Sequence, residues 1–219
     1  MPLIPESLEP VAGLQAASSE ESAIARARDA MVASQIIARG VRDPKTLAAM
    51  RQVPRHLFVP PGLVNEAYDD HPLPIGHGQT ISQPYIVAFM TEALGLKGGE
   101  TVLEVGSGCG YLSAVVARIA KKVFGIEIVE PLARDSKERL ARLGYANVEI
   151  RAGDGYAGWP EHAPFDAIVV SAAAPRVPEP LKQQLKELGL PTEFVTVSVS
   201  PEDKEYEAEV IVSGVSNEH

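Results

Sequence analysis

LEVGSGCG, residues 103–110, puts three glycines, Gly106, Gly108 and Gly110, between an apolar run and an amphipathic one. Glycines so spaced allow a tight turn and let a ligand approach the backbone closely. The N-terminus of the helix that follows favours negative groups. Glu127 ends the next apolar run, near the ~20-residue interval at which an acidic side chain takes ribose hydroxyls. Asp154, in the AGDG of 152–155, offers a second acceptor along the same edge. The dinucleotide pattern G-x-G-x-x-G/A needs a small residue at 111, and Tyr111 stands there. Pyrophosphate therefore has no evident seat, and a nucleoside without phosphates is the better match. A plain βα turn with a solvated strand-end carboxylate is the bland alternative. Upstream lies GHGQTISQPY, residues 76–85. Its hydroxyls, Thr80 and Ser82, stand just before Pro84, a first-turn proline, so Ser82 can serve as a helix cap.

These groups need a scaffold that brings them to one rim. TVLEVG (101–106), VFGIEI, NVEIRAGD and FDAIVVSA (165–172) read as strands. YLSAVVARIAKK, residues 131–143 and residues 178–188 read as the helices between and after them. Lys121 and Lys122 are expected at the C-terminal end of the first helix, and Gly144 and Gly189 as stops for the other two. This alternation predicts an α/β, Rossmann-like, doubly wound and mostly parallel sheet. Ligands in such sheets bind at the carboxyl edge.

The flanks read differently. Residues 1–17 are Pro-rich and predict a loose tail. Ser18 and Glu21 have capping-box spacing and predict a helix that stops at Gly40. Asp43-Pro44 predicts a second helix ending before Pro54. Residues 54–83 are dominated by proline and glycine and predict an extended, loop-rich segment, with a helix over 84–94 after it. EFVTVSVS and YEAEVIVS alternate with period two and predict a C-terminal antiparallel hairpin, its polar face (Thr196, Ser198, Glu207, Glu209) toward water. The organisation expected is one compact unit: a tail (1–17), N-terminal helices with a substrate loop (18–95), and a cofactor-binding core (96–219) whose last part (190–219) is a divergent hairpin.

A net charge of −9 over 219 residues argues against nucleic acid, because no basic excess displaces counterions. Cys109, the single cysteine, allows no intrachain disulfide and suits a reducing compartment. No apolar run reaches the roughly 18 residues of a membrane span, and the first residues do not read as a signal peptide. The expectation is a cytoplasmic monomer without membrane or metal. Zinc-ligand spacing is missing from the sequence.

EVGSGCGYL, Glu127, GDG at 153–155 and the FDAIVVSAAAP run resemble a class I S-adenosylmethionine-dependent methyltransferase. PLPIGHGQTISQPYIVA resembles the signature of the protein-L-isoaspartate O-methyltransferase family, as do VPRHLFVPP and SAAAPRVPEPLKQQL. The likeness covers residues 25–189. It implies methyl transfer from S-adenosyl-L-methionine to the carboxylate of L-isoaspartyl (and D-aspartyl) residues in damaged proteins, the ester then closing to a succinimide that reopens to aspartate. The TIS segment would lie beside the methyl group and hold the carboxylate, with Ser82 and Thr80 orienting it and Ile81 alongside. Gln79, Glu104, Gly106, Ser107, Gly108, Glu127, Asp154 and Gly155 would bind the cofactor. Ser171, Ala172 and Ala173 would line the peptide groove, a plain strand exit being the alternative for them.

The chemistry asks for little more. A carboxylate, with a reference pKa near about 4, is ionised at pH 7 and needs no general base. Proximity and alignment can supply up to roughly 7–11 kcal/mol in well-oriented systems. His77 reads as a solvated loop residue, Cys109 as small packing, and Trp159 as either an adenine shield or a hydrophobic plug. After Leu188 the family's glycine pair and Pro-Val-Gly turn find no match, so residues 190–219 are expected either to supply the edge strands by another route or to leave the site more open and cofactor binding weaker. The alternative functions are a methyltransferase of another acceptor and a non-catalytic cofactor-binding homologue.

Overall fold

The computed structural model describes the backbone of residues 11–171, 178–185, 192–198 and 207–213, and the side chains of 21–171 and 178–185. Helix α1 (Val11–Met31) begins well before Ser18, so Ser18 lies inside a helix and the expected capping box is not its start. The helix continues through a π-turn and a 3-10 turn and stops at Gly40, whose φ of 102° is open to glycine at no steric cost. Asp43 caps α2 (Pro44–Gln52), accepting the Thr46 N–H at 2.7 Å with Pro44 in the first turn. Residues 54–83 hold two short 3-10 turns and one feature absent from the sequence reading. This is a two-stranded antiparallel ribbon, β1 (Leu73–Gly76) and β2 (Gln79–Ile81). Helix α3 (Pro84–Ala93) follows it directly.

The core alternates as expected: β3 (Thr101–Val105), α4 (Tyr111–Ala117), β4 (Lys122–Glu127), α5 (Glu130–Arg142), β5 (Val148–Ala152), β6 (Ala167–Val170) and α6 (Glu179–Gln183). Helix α4 is shorter than expected, and Lys122 opens β4 instead of ending the helix. The segment 186–191, with the expected stop at Gly189, lies outside the described residues. Two further strands, β7 (Thr192–Ser198) and β8 (Glu207–Ser213), pair antiparallel with each other. The side chains expected on their polar face lie outside the described residues.

The six-stranded sheet has the order β5-β4-β3-β6-β8-β7. Strands β3, β4, β5 and β6 are parallel, and β8 joins β6 antiparallel. The chain moves from β3 outward to β5 and returns to β6 on the other side of β3. The switch point, where open α/β sheets take ligands, is therefore between the carboxyl ends of β3 and β6.

Strand alternation divides the core into two faces. Val102, Val123, Ala167 and Val169 pack with the N-terminal helices, through Met50, Phe58, Val87 and Met90. Leu103, Phe124, Ile126, Ile168 and Val170 pack on the opposite face with Trp159, Phe165 and Leu181. Glu104, two positions after Val102, shares the face turned to the N-terminal layer. Among the described residues no helix is long and apolar enough to cross a membrane.

Candidate active site

The ribbon answers the question of how the polar loop reaches the glycine turn. Its two turn residues, His77 and Gly78, have φ of 54° and 72°, positive at both central positions as a tight hairpin with the strands' own twist requires. His77 is exposed at the tip, as expected of a loop residue. The ribbon folds onto the glycine turn so closely that a Cβ on Gly108 would stand 3.4 Å from Ile75 Cδ1.

Gly106, Gly108 and Gly110 hold φ of 90°, 50° and 84°, a backbone path that side chains disfavour. A Cβ at Gly110 would also meet Leu140 Cδ1 at 2.9 Å. Between ribbon and turn lies a cavity of about 40 Å³, with Thr80, Ile81 and Ser82 on one wall and Gly106, Ser107 and Gly108 on the other. Glu104, Ser171, Cys109 and Tyr111 complete its lining. The structure thus brings eight of the expected site residues to one chamber.

Glu104 is 2% exposed. Its carboxylate accepts the Ser113 hydroxyl, and Ser171 Oγ stands 3.4 Å away. Burial pushes its pKa from the usual 4.5 up to about 7, against the Ser113 hydrogen bond and with help from the nearby Glu127 charge. The Ser171 hydroxyl has its shortest contact, 2.8 Å, with the Gly106 carbonyl, and the Ser171 N–H donates to the Val105 carbonyl at 2.9 Å. Ser171 therefore braces the glycine turn from the end of β6. Ala172 and Ala173 lie outside the described residues.

Glu127, buried at the end of β4, accepts the N–H groups of Gly108 and Val129. Asp154 lies farther along the rim, exposed, and caps a 3-10 turn by accepting the Tyr156 N–H at 2.9 Å. Gly155 is needed for contact: a Cβ there would stand 2.3 Å from Val105 Cγ1. Gln79 differs from the expectation, since it stays exposed on the ribbon and does not line the chamber.

Several expectations about roles are refined. Gln83, not Ser82, occupies the N-cap position of α3, and no side chain caps that helix. The Gln83 amide instead donates to the Asp70 side chain at 2.9 Å. Trp159 is buried, edge-on to Phe124 at 5.3 Å and beneath the Arg151 guanidinium at 4.2 Å, so it is a hydrophobic plug and no adenine shield. Cys109 is buried, and burial pushes its thiol pKa up, which makes it a packing residue.

The sequence reading missed two residues on the rim. Ile128 is 71% exposed beside Glu127, and Tyr156 is 60% exposed beside Asp154. Large apolar side chains left in water next to strand-end carboxylates are the available signal, and it exists only once burial is known.

The family model for protein-L-isoaspartate(D-aspartate) O-methyltransferase matches residues 26–206. This chain belongs to that family. The match runs past residue 189, where the visible likeness ended, through β7 and up to the start of β8. A protein-L-isoaspartate O-methyltransferase of Synechococcus sp. is 58% identical over 176 residues, 80% of this chain and 71% of that one. A family member from Pelobacter propionicus is 60% identical over 158 residues, 72% of this chain and 70% of the relative. Among solved structures, a Plasmodium falciparum member in complex with S-adenosyl-L-homocysteine aligns with TM-score 0.66 at 28% identity, over 83% of this chain and 88% of that one. Another solved protein-L-isoaspartate O-methyltransferase aligns with TM-score 0.65 at 32% identity. It covers 78% of this chain, which spans 55% of that protein's length.

Proposed function

We propose that this protein transfers a methyl group from S-adenosyl-L-methionine to the carboxylate of L-isoaspartyl residues in damaged proteins, starting repair through a succinimide. The observation that carries the reading is the shared chamber: Thr80 and Ser82 face the glycine turn and Glu104 across one cavity. Membership of the family supports the same reading.

The residues present fit the cofactor. Ser107 Oγ is buried in the chamber without a hydrogen-bond partner, a donor and acceptor left for a ligand. Positive φ at three glycines gives the backbone a path close to a methionine moiety. Glu127 and Asp154 hold acceptor capacity for ribose hydroxyls, and Ile128 and Tyr156 offer apolar faces to an adenine. When bound, S-adenosyl-L-methionine supplies an electrophilic methyl group on a sulfonium centre.

The chain's own residues orient the acceptor. Thr80 and Ser82 bring their hydroxyls to the chamber wall formed by the ribbon, and α3 begins just after them without a side-chain cap. Its first N–H groups lack intrahelical partners by construction and favour a carboxylate. The acceptor is ionised at neutral pH, so no residue has to remove a proton. The charge of Glu127, joined by that of Glu104 as it ionises near pH 7, complements a sulfonium. A shallow, exposed ribbon beside the chamber suits a flexible peptide read through its backbone and one carboxylate.

Calorimetry with S-adenosyl-L-methionine, followed by incubation with an isoaspartyl peptide, tests this. The expected result is binding and a base-labile methyl ester on the peptide. Binding without ester would assign the protein to the non-catalytic cofactor binders. Methylation of a nucleoside or RNA alone would assign it to another acceptor.

A further inference from the structure

Arg55 is the largest fully buried side chain among the described residues. It follows Pro54 in the 3-10 turn Arg55–Leu57 and is 0% exposed. Burying a guanidinium is costly unless acceptors or an anion compensate it. Here its Nε donates to the Ala67 carbonyl at 2.8 Å, while its two terminal nitrogens interact with the Tyr111 hydroxyl without reaching full hydrogen-bond geometry. The guanidinium carbon lies 4.9 Å from the centroid of the Tyr111 ring. The ionisable groups that act on it most are Tyr111, Cys109 and Tyr68, and no carboxylate pairs with it among the described residues. Burial lowers its pKa, but a guanidinium stays charged at neutral pH.

Tyr111 and Cys109 are both chamber-lining residues, so this charge stands behind the chamber wall. Glu127 is a buried carboxylate, and Glu104, also buried, adds a second negative charge as it releases its proton near pH 7. By themselves they attract a sulfonium and repel a carboxylate. A structural role alone does not account for Arg55, since an apolar side chain of similar volume fills such a site without the desolvation cost.

We propose that Arg55 is a specificity-determining positioning residue. Acting through Tyr111, its buried charge offsets Glu104 and Glu127, selects an anionic methyl acceptor over a neutral one, and does so at some expense to the affinity for the cationic donor. The inference rests on the function proposed above. A buried charge acting across one intervening side chain changes affinities by about three- to tenfold. Burial shields the effect from salt.

Arg55→Gln removes the charge and keeps an N–H donor for the Ala67 carbonyl; Arg55→Met removes both; Arg55→Lys keeps the charge. The readouts are KM for an isoaspartyl peptide and calorimetric Kd for S-adenosyl-L-methionine and for S-adenosyl-L-homocysteine, which lacks the sulfonium charge. Expected for Arg55→Gln are a KM raised about three- to tenfold, a several-fold tighter Kd for the methionine form and an unchanged Kd for the homocysteine form. Arg55→Lys is expected to stay near the native values. Structural damage weakens all ligands together, so opposed signs cannot arise from it. Parallel loss of both cofactor forms, or an unchanged KM, overturns the proposal. Failure of both neutral variants to fold while Arg55→Lys folds assigns the charge to stability and overturns it too. If the native protein methylates no peptide, the proposed function falls, and the split between the two cofactor forms still decides the role of the charge.

Discussion

The carboxylate of Glu127 accepts the backbone N–H of Gly108 at 2.7 Å. Its other oxygen accepts the Val129 N–H at 2.9 Å. One acidic side chain thus ties the glycine turn, from β3, to the exit of β4. A carboxylate has roughly four acceptor positions, so two remain for ribose hydroxyls. Glu127 is both a brace and a candidate ligand.

Glu127→Ala is expected to weaken S-adenosyl-L-methionine and S-adenosyl-L-homocysteine alike. Loss of charge-assisted hydrogen bonds costs about 2 kcal/mol, or roughly 30-fold in Kd. Calorimetry checks it, and an unchanged affinity removes Glu127 from the ribose site.

Ser82→Ala is expected to lower kcat about five- to tenfold, the worth of one hydrogen bond, with cofactor Kd held within about twofold. Because Gln83 takes the N-cap position of α3, the melting temperature should not fall as it does when a cap is lost. A lower Tm with unchanged kcat would return Ser82 to a structural role.

Glu104 predicts a pH dependence of stability. Its folded pKa, about 7, lies above the ordinary 4.5. Between those values the unfolded chain has released the proton and the folded chain keeps it. Stability from this group is therefore full below about pH 4.5, falls as pH rises, and is flat above about 7, a loss of roughly 3 kcal/mol. Glu104→Gln should abolish that slope. Urea unfolding at pH 5 and pH 8 measures it, and equal pH dependence in variant and native protein would contradict the assignment.

Gly155→Ala should damage the rim sterically. The added methyl meets the stiff Val105 side chain at 2.3 Å, which costs about 1–3 kcal/mol. A lower Tm together with weaker cofactor binding is expected. A native Tm would show that the 155 loop can step away from β3.

The residues legible in the sequence are those whose local type dictates their position. Gly106, Gly108 and Gly110 announce the turn because side chains disfavour their backbone angles. Asp43-Pro44 announces α2, and the apolar runs announce β3, β4 and β6, buried on both faces, whereas β5 at the sheet edge buries only Ile150. The ribbon was hidden because strands of four and three residues are too short to show alternation among prolines and glycines. The early start of α1 was hidden because a good capping pattern at Ser18 has no force where the helix already runs. The burial of Arg55 is a tertiary fact: in sequence it stands between Pro54 and His56 and reads as a surface cation. Ile128 reads as the last residue of an apolar strand, and its exposure appears only when β4 ends at Glu127.

The central claim is that the ribbon and the glycine turn together place one particular carboxylate for methylation. Transfer of a labelled methyl group from S-adenosyl-L-methionine to an isoaspartyl peptide, set beside its normal aspartyl twin, measures this directly. The account predicts label on the isoaspartyl peptide and background on its twin. Equal labelling of the two, or label on neither while the cofactor binds, would contradict it.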